Sequence, residues 1–102
     1  MRVIIFFDLP MLSEVEVKRY ARFRKYLIKS GYIMMQYSIY CKIFPNRDLV
    51  KWHIKELEKN IPADGSVMLM TVTEKQYQSI KNLVGSKKAL DKKITSENLL
   101  IF

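Results

Sequence analysis

The chain opens on Arg2-Val3-Ile4-Ile5-Phe6-Phe7-Asp8, a β-branched and aromatic run closed by Leu9-Pro10, and this reads as a buried strand entering a loop. Ser13 followed by Glu14 and Glu16 is a helix-start signal and Gly31 a stop, so the pattern predicts a helix over 14–30. The runs at 32–36 (YIMMQ) and 37–44 (YSIYCKIF), closed by Pro45-Asn46, predict two short antiparallel strands, with one long kinked strand as the other reading. Asn46 is placed to cap a second helix over about 47–60, where Val50, Ile54, Leu57 and Ile61 keep the i, i+4, i+7, i+11 spacing of one buried stripe. Pro62-Ala63-Asp64-Gly65 forces a turn. The mostly apolar segment 66–72 (SVMLMTV) predicts a further strand, central in its sheet. Thr73 and Gln76 fit a capping box that opens a short helix ending near Gly85. A polar, basic stretch then leads to ENLLIF, apolar to its last residue.

The order strand, helix, strand, strand, helix, strand is that of the ferredoxin-like split βαβ, an α+β fold, here with an added short helix and C-terminal strand. No linker or internal repeat divides the chain, so 1–102 is one domain with 86–102 as a C-terminal extension. A domain of this size buries only roughly 65% of its unfolded surface, which leaves a thin stability margin. On pattern alone the apolar terminal strand pairs either with its own sheet or with a neighbouring subunit.

Composition narrows the chemistry. With a single Cys there is no intrachain disulfide, and neither zinc-ligand spacing nor a Gly-rich phosphate loop occurs among three glycines. The N-terminal apolar run is too short for a signal peptide or a membrane span, so the cytoplasm is the expected compartment.

Lys plus Arg number 18 against 10 Asp plus Glu, a formal net charge of +8, and the excess is not spread evenly. At 100° per residue, Lys18, Arg22, Lys25 and Lys29 fall within one arc of roughly 60° on the first helix, with Arg19 and Tyr26 beside it. Beyond Glu16 the arc holds no acid, and like charges four residues apart repel, so the stripe costs stability and reads as a phosphate-contacting surface. Lys87, Lys88, Lys92 and Lys93 form a second basic cluster. A membrane surface is the poorer partner, because the apolar arc of the first helix is needed to cover the sheet. The RNP1 pattern is absent, so base-specific stacking on the sheet is not indicated and contact along the backbone of a duplex is.

Arg24 falls inside the apolar arc read from Val17, Tyr20, Ala21, Leu27 and Ile28, where its head must snorkel, pair or reach an interface. Trp52 stands opposite the buried stripe of the second helix, as an interface residue would. His53, at the edge of that stripe, reads as structural, and Ser38 and Cys41 have no neighbouring base. One carboxylate, Asp8, lies where active sites often do, at the end of a buried strand. It is either a loop-capping group or half of a magnesium site completed by a second copy across a two-fold axis.

The strand ending in Phe7-Asp8, the basic helix with Arg22, the segment from Gly31 to Tyr40 with its Gln36-Tyr37-Ser38-Ile39-Tyr40 core, and Val72-Thr73-Glu74-Lys75-Gln76-Tyr77 together resemble CRISPR-associated protein two, the small adaptation subunit of CRISPR systems. The resemblance covers almost the entire chain and is strongest to the branch found with single-effector systems. It implies a ferredoxin-like homodimer whose C-terminal strands pack on the partner's sheet. It also implies a dimer that binds double-stranded DNA and bridges dimers of the CRISPR integrase subunit, CRISPR-associated protein one, during spacer acquisition. In that family Asp8 matches the proposed divalent-metal ligand, Mg²⁺ or a similar cation, of an endonuclease activity seen in some members. Arg22 matches a functional basic position and Tyr40 an aromatic one. The Tyr that precedes the Asp in the family pattern is Phe7 here.

Overall fold

A computed structural model describes residues 1–85. The elements are β1 (Arg2–Asp8), α1 (Glu14–Lys29), β2 (Ile33–Gln36), β3 (Ile39–Ile43), α2 (Arg47–Glu58), β4 (Ser66–Val72) and α3 (Glu74–Gln78). The strands form one antiparallel sheet in the order β2-β3-β1-β4, the arrangement of a ferredoxin-like βαββαβ unit. The predicted extension at 86–102, with its Lys87–Lys93 cluster and terminal strand, lies outside the described residues.

Each helix begins where its cap requires. Ser13 accepts from the Glu16 N–H while Glu16 reaches back to the N–H groups of Leu12 and Ser13, and Thr73 and Gln76 make the same reciprocal pair at α3. Asn46 accepts from the Leu49 N–H at 2.9 Å and opens α2. After Ser30 caps α1, Gly31 turns the chain with φ +98°, a left-handed conformation that favours glycine.

Alternation along β1 assigns the two faces of the sheet. Val3, Ile5 and Phe7 point to the helix side and pack with Tyr20, Phe23 and Leu27 of α1 and Val50 and Leu57 of α2. Phe7 sits at the centre, its ring 5.1 Å edge-on from Phe23 and 5.6 Å stacked on Tyr40. The residues between them face the other way. Ile4, Cys41 and Val72 form a small second cluster there, with Phe6, Met35, Ile39 and Tyr77 packed against it. This open face leaves Ile33, Ile43, Met68 and Met70 exposed.

Four expectations are corrected. β4 is an edge strand of the described sheet, paired there with β1 alone; Val67 and Leu69 meet the helix-side core, while Met68 and Met70 belong to the open face. α3 ends at Gln78 with Ser79 as its cap, well short of Gly85. The buried arc of α1 runs through Tyr20, Phe23 and Leu27, so Val17, Ala21 and Ile28 are exposed and Arg24 stands among them in solvent. Tyr26, read as flanking the basic stripe, instead packs half-buried against the core.

His53 is structural, as expected. It is buried against Phe44 and shares a 2.6 Å hydrogen bond through Nε2 with the Tyr32 hydroxyl. Burial lowers its pKa, Lys42 adds to the shift, and burial raises that of the Tyr32 phenol. Trp52 is 61% exposed on the outer face of α2.

Candidate functional site

Two candidate surfaces emerge on opposite sides of the layered domain. On the outer face of α1, Lys18, Arg22, Lys25 and Lys29 are all exposed, and none of them forms an ion pair among the described residues. Glu16, at the start of the helix, is turned into the helix cap and does not neutralise them. Arg19 departs from the stripe: its guanidinium binds Asp64 at 2.8 Å and ties α1 to the turn before β4. Four unpaired cations along one helix make a linear positive ridge suited to consecutive phosphates.

The second surface is the Asp8 corner. Asp8 is the last residue of β1, pairs in register with Ser66 of β4, and by the pleat points to the open face. It is exposed, and among the described residues no hydrogen bond or ion pair engages its carboxylate, so the loop-capping reading finds no support. It lies at an open depression of about 280 Å³, shared with Phe6, Phe7, Tyr37, Ser38, Ile39, Ser66 and Met68.

The backbone around Asp8 is fixed by two contacts that the linear sequence did not reveal. Gly65 has φ +93°, and a side chain there would place its Cβ 2.7 Å from the Asp8 carbonyl oxygen and 2.7 Å from Leu9 Cδ2. Only glycine lets the start of β4 approach so closely. On the other side, the two-residue turn Tyr37-Ser38 between β2 and β3 puts Ser38 at φ +65°, uncommon for a residue with a side chain. The Ser38 carbonyl accepts the Phe7 N–H at 3.1 Å and its hydroxyl meets the Tyr20 hydroxyl at 3.2 Å. The dipeptide Asp64-Gly65 was the one legible signal of the first contact, and pairing between distant strands creates the second.

Tyr40 is 1% exposed, so it is a core residue with no face available for a ligand. Its hydroxyl has no hydrogen-bond partner among the described residues; burial pushes that phenol up, and the Arg24 guanidinium acts in the opposite direction. Phe7 is likewise interior, which explains why the apolar ring is accommodated at the position before Asp8.

The described residues hold no cluster of three or more His, Cys, Asp or Glu side chains placed for a metal, and no described helix is long and apolar enough to cross a membrane. The site is therefore one free strand-end carboxylate on a small α+β domain that also carries a basic helix. The family described as CRISPR associated protein Cas2 matches residues 1–80. A protein of Acidovorax ebreus named CRISPR-associated endoribonuclease Cas2 is 40% identical over 102 residues, covering 100% of both chains. Proteins of the same name from Treponema denticola and Ligilactobacillus salivarius are 48% identical over 91 residues and 41% identical over 87, covering 86% and 85% of this chain and 87% and 86% of theirs. The chain belongs to the Cas2 family.

Proposed function

We propose that this chain acts in CRISPR adaptation as a homodimeric, double-stranded-DNA-binding bridge between integrase dimers during the acquisition of new spacers. The observation that carries this reading is the α1 ridge of Lys18, Arg22, Lys25 and Lys29, exposed and unneutralised among the described residues. A cationic ridge with no base-reading group tracks phosphates regardless of sequence. The apolar open face around Ile33, Ile43, Met68 and Met70 is the surface a second copy would cover. The test is charge reversal, Lys18→Glu with Arg22→Glu, measured by duplex binding across a salt series. Affinity is expected to fall for every sequence, and the log–log salt slope to flatten by roughly one unit per lost contact. Unchanged affinity at moderate salt would remove the ridge from the interface.

A second reading is a metal-dependent endonuclease, favoured by the free Asp8 carboxylate beside a depression and consistent with the name its relatives carry. The donors suit Mg²⁺ sparingly: one Asp8 from each of two copies at a two-fold axis, the Ser38 and Ser66 hydroxyls nearby, and water and phosphate oxygens completing the shell. Such an ion would neutralise a scissile phosphate and lower the pKa of a bound water. The chain's own contribution is to hold Asp8 fixed through the Gly65 and Ser38 contacts. Asp8→Asn is expected to abolish any magnesium-dependent cleavage while leaving dimerisation and partner-dependent integration intact. Loss of integration in that variant, with binding preserved, would make Asp8 essential and overturn the bridging reading.

A further inference from the structure

Arg24 belongs to a second exposed stripe of α1, one that the basic ridge does not use. Val17, Ala21, Arg24 and Ile28 recur at i, i+4, i+7 and i+11, which places them within one arc of roughly 60°. Val17 and Ile28 are each 46% exposed, and Ala21 and Arg24 are exposed as well. On the opposite side of the helix Arg19 binds Asp64 at the turn into β4, and β4 and β2 are the two edges of the described sheet. The stripe therefore looks toward β2. That strand leaves α1 at Gly31 and returns to it at Tyr37, whose ring stacks on Tyr20, so helix and strand run side by side in opposite directions. Among the described residues β2 pairs with β3 alone, and Ile33-Met34-Met35-Gln36 carries neither charge nor proline to guard its free edge. Met34, paired with the buried Tyr40 and so on the helix side of the sheet, is 40% exposed.

We infer that the free edge of β2 and this stripe of α1 form one docking surface, which receives an extended apolar segment of the integrase partner with a carboxylate facing Arg24. An unpaired strand edge presents N–H and C=O groups in alternation, a pattern that another polypeptide backbone matches and a nucleic acid does not. The stripe is apolar except at Arg24, which forms no ion pair among the described residues, so a segment that covers it must bring an acid or bury a lone cation. A second copy set here by a two-fold axis would instead bring Arg24 to the same interface twice, between chains of net charge +8. The inference rests on the bridging reading: a dimer joined through its open faces would keep one such edge per copy, two equivalent sites for two integrase partners. The stripe lies roughly 90° around α1 from the basic ridge, so one helix would hold duplex and partner on adjoining faces.

The test is amide hydrogen exchange of the full chain, alone and with the CRISPR integrase subunit, alongside titration of the complex without DNA. Backbone amides of Ile33–Gln36 are expected to exchange freely in the chain alone and to slow when the integrase is added. Arg24→Glu is expected to weaken the complex by roughly tenfold or more, whereas Arg24→Lys, which keeps the charge, retains it. Lys55→Glu makes the same change of net charge on the exposed side of α2 and leaves the affinity at the wild-type level. A complex in which the β2 amides exchange as fast as in the free chain overturns the inference and leaves the bridging reading standing. So does an equal loss of affinity in Arg24→Glu and Lys55→Glu, or no loss in either. Slow exchange of β2 in the chain alone would mean that its own residues or a second copy already hold the edge, and would overturn the inference too. No complex between the wild-type chain and the integrase would remove the bridging reading, and this inference with it.

Discussion

The two faces of the sheet are built from alternate residues of the same strands, yet they do different work. On the helix side twelve buried residues form one continuous core, with Val3, Ile5 and Phe7 of β1 locked among aromatic rings. On the open side, among the described residues, only Ile4, Cys41 and Val72 form a buried cluster, and methionines and isoleucines are exposed. The first face therefore holds this chain together, and the second is available to something else. Asp8 ends the strand on the second face, so the candidate chemistry sits where the molecule is least finished.

The contrast is easily broken. Phe23→Ala removes a side chain that is 2% exposed and touches Phe7, and it is expected to cost about 3–5 kcal/mol in urea unfolding. A loss below about 1 kcal/mol would mean that the helix side does not dominate stability. Met68→Ser with Met70→Ser strikes the open face instead: light scattering is expected to show the proposed dimer dissociating, while urea unfolding at a dilution where both proteins are monomeric changes by no more than roughly 0.5 kcal/mol for each substitution. An intact dimer would assign the open face to some other role.

The smallest effect is a pH dependence confined to the helix side. The folded pKa of His53 lies below its ordinary 6.5, so below that pH the unfolded chain binds more protons than the folded one. Its contribution to stability is complete above pH 6.5 and declines as pH falls from there through the folded value. Thermal unfolding between pH 7 and 5.5 should therefore show a steeper loss in wild type than in His53→Gln. Parallel curves would show that the buried imidazole carries no linkage.

Much of the fold was legible because its signals are local. Ser13, Asn46 and Thr73 each cap the helix that follows within three residues, and alternation in β1 needs only the strand itself. The errors arose where a neighbour decides. Val17, Ala21 and Ile28 look like a buried arc by hydropathy, but the sheet selects the bulkier Tyr20, Phe23 and Leu27, which can reach Phe7. An apolar β4 looked central because Met68 and Met70 were counted with Val67 and Leu69, although they serve opposite faces. Asp8 could be singled out from its strand-end position, and the ridge on α1 from helical geometry. The Gly65 approach and the Ser38 turn join residues far apart in the chain: Asp64-Gly65 signals a turn but not what the turn approaches, and nothing local to Ser38 signals its contact with β1.

Cys41 gives the open face a clock of its own. Cys41 is 4% exposed in the small cluster, and its sulfur lies 3.9 Å from the Arg2 guanidinium, which also chelates Glu74 and covers Tyr77 at 3.7 Å. Burial raises its pKa, so a thiol reagent in solution meets an enclosed and mostly protonated sulfur. Its modification must wait for a local opening in which α3 swings away, and because the sequence holds a single cysteine, every labelled molecule reports that one event. The labelling rate would thus time the breathing of this face in the free chain, and its suppression would register the moment the face is covered.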